Sequence, residues 1–312
     1  MEQVLASLTP IVLLVLCGAL LLRFGFFDDA FRRNLDRLVY WIAVPALVVA
    51  KLAKAAAFDP DAAKITGAML VASVGAMGVG YFLAWMMRLP GAAAGVLVQA
   101  GFRGNLAFVG LPVIVLAASD GAFDSAHTET QAILVLAPLM LFYNVVAIFV
   151  LELARQRISW SVVPRLARSV STNPILISCV VGTALGFSGI TLPGPVAETL
   201  DIVGATAAPL ALLSLGGTLV VYEVRENLLP AFAGALIKVA IVPVFASLSG
   251  RALGLDSEGM LVLMVYAAAP TSVASYVMAA QLGGDEALAA SSLVLTTVLS
   301  VFSLGVALSW AI

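Results

Sequence analysis

Side chains capable of chemistry are sparse in this sequence, and the densest group lies at residues 102–112, FRGNLAFVGLP. Arg103, Gly104, Asn105 and Pro112 interrupt an apolar run long enough to cross a bilayer. In hydrocarbon, a guanidinium and freed backbone groups are tolerated only against protein or a water-filled cavity, so an intramembrane arginine is by default functional. Arg103 is suited to binding a carboxylate; the competing reading has it snorkelling or paired with a backbone carbonyl. A second interrupted stretch, YAAAPTSVASY at 266–276, carries Pro270, Thr271, Ser272 and Ser275. Proline removes a backbone donor and clashes with the preceding turn, which predicts a helix break near Ala269. Thr271 and Ser272 then stand where a second half-helix begins, and with Ser275 they read as caps before they read as specificity groups. In the first stretch Gly104 and Asn105 supply the irregular turn, and Pro112 is harmless in a first turn but kinks the helix if deeper. Lys238, near the middle of another apolar run, could balance charge, attract an anion or titrate during coupling. Gln99 and Gln131 are weaker polar candidates, and Pro45 and Pro209 shape their helices.

Other chemistries lack their residues. No phosphate-binding loop, zinc-binding helix motif or serine-histidine arrangement occurs, which argues against ATP-driven transport and against an enzyme. Cys17 and Cys179 sit in apolar runs and read as small packing residues, while the lone His127, beside Glu129, reads as a surface group in a polar loop. No metal site is expected. Asp120, Asp124, Glu129 and Glu152 fall near the ends of apolar runs or in loops, so the carboxylate relay of many proton-driven carriers is missing. A sodium site built from carbonyls and hydroxyls at broken helices stays open, and no other cofactor is implied.

The elements that must position these groups follow from composition. Of 312 residues, 62% are hydrophobic and 11% charged, and mean hydropathy is +1.09, the signature of an all-α polytopic membrane protein. A net charge of −2 carries no message about nucleic acid. The start, Met1-Glu2-Gln3, has no basic residue ahead of the first apolar run, so that run reads as a retained span and not a signal peptide. Apolar runs of spanning length recur about ten times, near 4–22, 36–53, 65–87, 92–117, 130–152, 173–190, 199–221, 228–249, 258–281 and 287–310. The basic residues Arg23, Arg32, Arg33, Arg37, Arg88, Arg155, Arg157, Arg165, Arg168 and Arg225 fall on one side, which predicts both termini outside. A polar connector at 153–172 divides the chain into halves of five spans, 1–152 and 173–312.

A shift of 164 positions lays Pro10 on Pro174, Gly18 on Gly182, Gly25 on Gly189 and Pro45 on Pro209, and sets Gly104-Asn105-Leu106 over Ala268-Ala269-Pro270. An odd number of spans per half makes the second repeat inverted, and inverted repeats with helices broken in corresponding places point to a secondary transporter. Two such helices would cross near mid-membrane. Their inner N-termini would present unpaired N–H groups there, an arrangement that favours an anion.

FRGNLAFVGLP, FYNVVAIFVLE at 142–152, NPILISCVVGTALGFSGITLP at 173–193, LDIVGATAAPLALLSLGGTL at 200–219, IKVAIVP at 237–243 and APTSVASYVMAAQLGGD at 269–285 carry a resemblance. In order and spacing they resemble the auxin efflux carrier family, which includes plant auxin exporters and bacterial organic-acid carriers. The resemblance implies a ten-helix inverted repeat of the bile-acid-symporter type, with crossed fourth and ninth spans. Spans 1, 2, 6 and 7 would form a scaffold, commonly a homodimer interface, and spans 3–5 and 8–10 a transport domain moving past it as an elevator. It implies a small organic anion as substrate, malonate, malate or an auxin-like acid, bound beside the crossing. Asn105 matches the family's crossover asparagine, Tyr143 and Asn144 its Tyr-Asn pair, and Lys238 its lysine five residues before a proline. Tyr143 and Asn144 also fit ordinary interhelical glue. The plant carriers' long central loop is absent, so the chain is similar to the compact bacterial members, which implies the inner membrane. Lys238 lacks an obvious acidic partner in the third span. The rival functions are a sodium-coupled organic-anion symporter and, from another class, a channel or membrane sensor.

Overall fold

The computed structural model describes residues 2–54, 59–118, 124–154, 164, 168, 171–221 and 228–311. The named elements are helical: α1 (Glu2–Arg23), α2 (Asp29–Leu38), α3 (Val44–Leu52), α4 (Pro60–Met86), α5 (Gly91–Phe102), α6 (Leu111–Ala118), α7 (Ser125–Ala154) and α8 (Pro174–Ser188), then α9 (Gly194–Ala205), α10 (Ala207–Val221), α11 (Leu228–Leu236), α12 (Val242–Ala252), α13 (Ser257–Ala268), α14 (Val273–Leu282) and α15 (Glu286–Ala311). Among the described residues, five stretches are long and apolar enough to cross a membrane: Pro60–Met86, Ser125–Ala154, Gly194–Val221, Leu228–Ala252 and Glu286–Ser309. Shorter apolar helices include Val12–Arg23, Gly91–Phe102, Leu106–Ala118, Pro174–Ser188 and Ser257–Ala268, and the expected fourth and ninth runs are each broken, into α5/α6 and α13/α14. Large apolar side chains such as Phe82, Trp85, Phe187 and Phe302 are exposed, as a hydrocarbon surrounding allows. This is an all-α polytopic membrane fold. Of the expected 153–172 connector, Arg155, Arg157 and Arg165 lie outside the described residues, as do Asp120 and Arg225.

Among the described residues, three helices widen into π-helical turns, at Val39–Ala43, Leu106–Gly110 and Ile237–Ile241, and in each a proline follows two residues after the turn: Pro45, Pro112 and Pro243. The coincidence has a physical cause. A proline ring clashes with the carbonyl four residues earlier and offers that carbonyl no N–H. A π turn just upstream inserts one residue and re-aims those carbonyls. Pro112 stands second in α6, just beyond the widened turn.

Two compact units emerge: unit 1 is residues 1–63, 107–138 and 167–221, and unit 2 is residues 64–106, 139–166 and 222–312. Within unit 1, α1 packs on α10 and α8 on α3. A Cβ on Gly18 would strike the Leu213 backbone, and one on Gly182 would stand 2.9 Å from Leu52 Cβ. The two glycines matched by the 164-residue shift thus make the same kind of close backbone approach. The amphipathic α2 is fastened to α10 through a buried charge: Arg32 reaches Asp29 and Asp36 at 2.8 Å each and Thr218 Oγ1 at 3.5 Å, and Ser214 donates to Asp36. Glu129, in the first turns of α7, is buried and meets Lys51 at 2.6 Å. His127 is half exposed, 3.4 Å from the Asp59 carboxylate. It begins α7, where a loop was expected, because Asp124 takes the N–H groups of Ala126 and His127. Cys179 is buried as expected, whereas Cys17 is exposed on α1.

Within unit 2, α13 and α11 pack along α15, while α5 packs on α11, α14 and α15. An apolar cluster including Ala93, Val96, Ala279 and Leu288 joins α5, α14 and α15 at one end. The breaks at residues 103–105 and 269–272 lie at the other end of α5 and α14.

Candidate functional site: paired helix breaks in unit 2

α5 stops at Phe102 because Arg103 turns to φ −86°, ψ 97°, and α13 stops at Ala268 because Ala269, ahead of Pro270, is held at φ −57°, ψ 143°. The last helical residues stand two positions away from the gap-free shift of 164. The freed backbone groups then find one another. Asn105 N donates to the Pro270 carbonyl at 2.7 Å, Ser272 N donates to the Arg103 carbonyl at 3.2 Å, and Gly104 and Thr271 form an antiparallel bridge. In a bilayer each group left unpaired would cost several kcal/mol, so this short exchange is what makes two broken helices tolerable there. Gly104 is required by crowding: a Cβ would lie 3.3 Å from Lys238 Cε and Leu106 Cδ2, and 3.4 Å from the Tyr266 carbonyl oxygen.

Two cations are buried around this crossing. Lys238, fully buried in the π turn ahead of α12, donates through Nζ to the carbonyl of Ala267 in the last turn of α13. That places a positive charge at the negative end of a helix dipole, on a carbonyl with no intrahelical donor. Arg103 is 5% exposed; its Nη2 donates to Asn144 Oδ1 at 2.7 Å and its Nη1 points at the Met278 sulfur. Tyr143 stacks edge-on against Phe102, centroids 5.8 Å apart, and its hydroxyl lies 3.3 Å from Ser73 Oγ. Among the described residues of unit 2 no acidic side chain is buried.

The cap assignments divide. Ser272 is the N-cap of α14, its hydroxyl accepting from Ala274 N at 3.3 Å. Thr271 takes another part: its hydroxyl donates to the Ala100 carbonyl and its N–H to Thr296 Oγ1 at 3.2 Å. Ser275 is buried, and Asn105 is 3% exposed. Arg103, Gly104, Asn105, Tyr143, Asn144, Lys238, Pro270, Thr271, Ser272 and Ser275 all fall in unit 2, whereas Pro112 falls in unit 1. Sequence reasoning passed over Ser73, Met278 and Thr296. The signal for Thr296 was Ser292 and Thr296, two hydroxyls four apart on one face of an apolar helix.

A helical membrane protein with two paired helix breaks and buried cations beside them has the form of a membrane transporter. A family model described as "Membrane transport protein" matches residues 3–308, and the chain belongs to that family. It is a membrane-embedded secondary transporter related to the auxin-efflux and bile-acid-symporter superfamily, and not an enzyme. It is 28% identical over 139 residues to a "Putative malonate transporter" of Rhizobium meliloti (strain 1021), covering 44% of this chain and 43% of that one. The match therefore spans less than half of that relative. An "Uncharacterized transporter" of Methanothermobacter thermautotrophicus (strain Delta H) is 24% identical over 307 residues, 96% of this chain and 95% of that protein.

Proposed function

We propose that the protein carries small organic carboxylate anions, exporting or exchanging them by elevator-type alternating access in which the body bearing the crossing moves across the bilayer. The observation that carries this reading is the burial of Arg103 and Lys238 around the paired breaks, with no buried acid among the described residues of unit 2. Such a site has excess positive charge in low dielectric, and an entering carboxylate lowers its energy. Arg103 and the inner end of α14 attract the carboxylate, Asn105 orients it, and Asn144 holds the guanidinium in place. Lys238 balances charge at the end of α13. The relative named for malonate supports a short dicarboxylate. The reading extends to a 5+5 inverted repeat, both termini outside, a homodimer through the scaffold spans and residence in a bacterial inner membrane. Separate Arg103→Ala and Asn105→Ala variants, reconstituted in liposomes, are expected to lose most malonate flux. Wild-type flux in both overturns the assignment, conductance without saturable counterflow replaces the carrier with a channel, and uptake that requires sodium replaces it with a symporter.

A further inference from the structure

Gln99 Nε2, Ser275 Oγ and Ser292 Oγ have no hydrogen-bond partner among the described residues, and their side chains are 1%, 4% and 0% exposed. They stand on α5, α14 and α15, three helices of unit 2 that pack against one another. Residues three or four apart share a helix face. One turn from each polar residue, on its own face, lies a member of a single apolar cluster: Val96 below Gln99, Ala279 below Ser275, Leu288 below Ser292. One turn the other way lies a closed set of hydrogen bonds. Thr271, four before Ser275, donates its N–H to Thr296, four after Ser292, and its hydroxyl to the carbonyl of Ala100, next to Gln99. The three orphaned polar groups therefore form one layer, clamped between a layer of apolar contact and a layer of direct hydrogen bonds.

We infer that this layer is a binding site for one internal water molecule that joins α5, α14 and α15. Three desolvated polar groups on converging helices are costly unless something bonds them, and a buried water makes about three hydrogen bonds to such groups. The donor set decides the occupant. The amide N–H groups of Gln99 need an acceptor, which a metal cation cannot be, and the two hydroxyls either donate or accept. The described acidic residues of unit 2 are not buried, so no carboxylate stands by to neutralise a cation. Water both donates and accepts and carries no charge. Its bonds tie the first turn of α14, which follows Thr271 and Ser272 of the crossing, to α5, the helix that ends just before Arg103. The existence of the site does not depend on which solute is carried.

The test uses the full-length protein in nanodiscs without added carboxylate, at a resolution that shows ordered solvent. A single peak within about 2.6–3.2 Å of Gln99 Nε2, Ser275 Oγ and Ser292 Oγ is the expected result. Direct bonds among the three side chains with no peak overturn the proposal. So does a peak that takes an anomalous signal when rubidium or thallium replaces sodium, which makes the occupant a cation. Melting temperatures give an independent readout. Gln99→Leu, Ser275→Ala and Ser292→Ala each lower the melting temperature by orphaning the water's remaining partners. The triple variant, which removes all three partners and the water together, melts no lower than the worst single variant. Losses that simply add in the triple variant, or a melting temperature that rises specifically with sodium over lithium, overturn it as well.

Discussion

Lys238 and Gly104 are bound to each other by space, since any side chain at residue 104 must share the volume that the lysine stem occupies. Gly104→Val is expected to reach the membrane in ordinary amount and to lose transport, because its Cβ meets Lys238, Leu106 and the Tyr266 carbonyl at 3.3–3.4 Å before any further carbon is placed. Flux normalised to folded protein in liposomes checks this. Lys238→Met removes the charge at the end of α13 and strands the Ala267 carbonyl. It is expected to weaken carboxylate binding about tenfold, the factor that roughly 1.4 kcal/mol represents. An unchanged dissociation constant by calorimetry confines Lys238 to capping. Asn105 was legible at this scale because a polar residue beside glycine in an apolar run is conspicuous. The Arg103–Asn144 bond was not, because the partners lie 41 residues apart and only helix packing brings them together.

At the scale of elements, the π turns convert prolines from helix breakers into side-chain aiming devices. The turn at Ile237–Ile241 precedes Pro243 and contains Lys238. Pro243→Ala restores the missing donor and lets the turn close to α geometry, which rotates one segment by about 100° relative to the other. The expected outcome is retained helicity by circular dichroism with lost flux; wild-type flux in this variant shows that the turn is held by packing alone. The short amphipathic α2 depends on Arg32, whose guanidinium holds Asp29, Asp36 and Thr218 together. Arg32→Ala leaves two carboxylates facing each other across the gap. Both keep about a third of their side-chain exposure, so the expected loss is on the order of 2 kcal/mol, below that of a fully buried pair. Thermal unfolding in detergent measures it, and adding Asp36→Asn is expected to recover part of the loss.

For the whole molecule, a substrate that binds only the folded protein raises its melting temperature with concentration, by about 2.7 kcal/mol of stability at a hundred times the dissociation constant. Malonate is expected to produce such a shift in the wild type and not in Arg103→Ala, whereas a neutral diamide of the same length produces none in either. A shift of equal size in Arg103→Ala removes the arginine from the site. Unit 2 gathers ten of the eleven sequence-derived site and break residues although they come from four separate stretches of chain.

Hydropathy by itself fixed the class, because about 20 consecutive apolar residues have one stable environment and backbone hydrogen bonds leave only helices there. Proline chemistry placed the break near Ala269 and glycine chemistry the one at Gly104, since a missing donor and a missing Cβ are local facts that no packing can alter. Those same local facts could not choose between Thr271 and Ser272 as cap, because both hydroxyls can cap and the choice rests on Ala100 and Thr296 standing within reach of Thr271. Nor could they show that the two breaks satisfy one another through Asn105 N and Ser272 N, or that Lys238 would spend its proton donors on the end of α13. Those bonds join residues separated by 25 to 171 positions, and distance along the chain carries no information about a partner until the helices are packed.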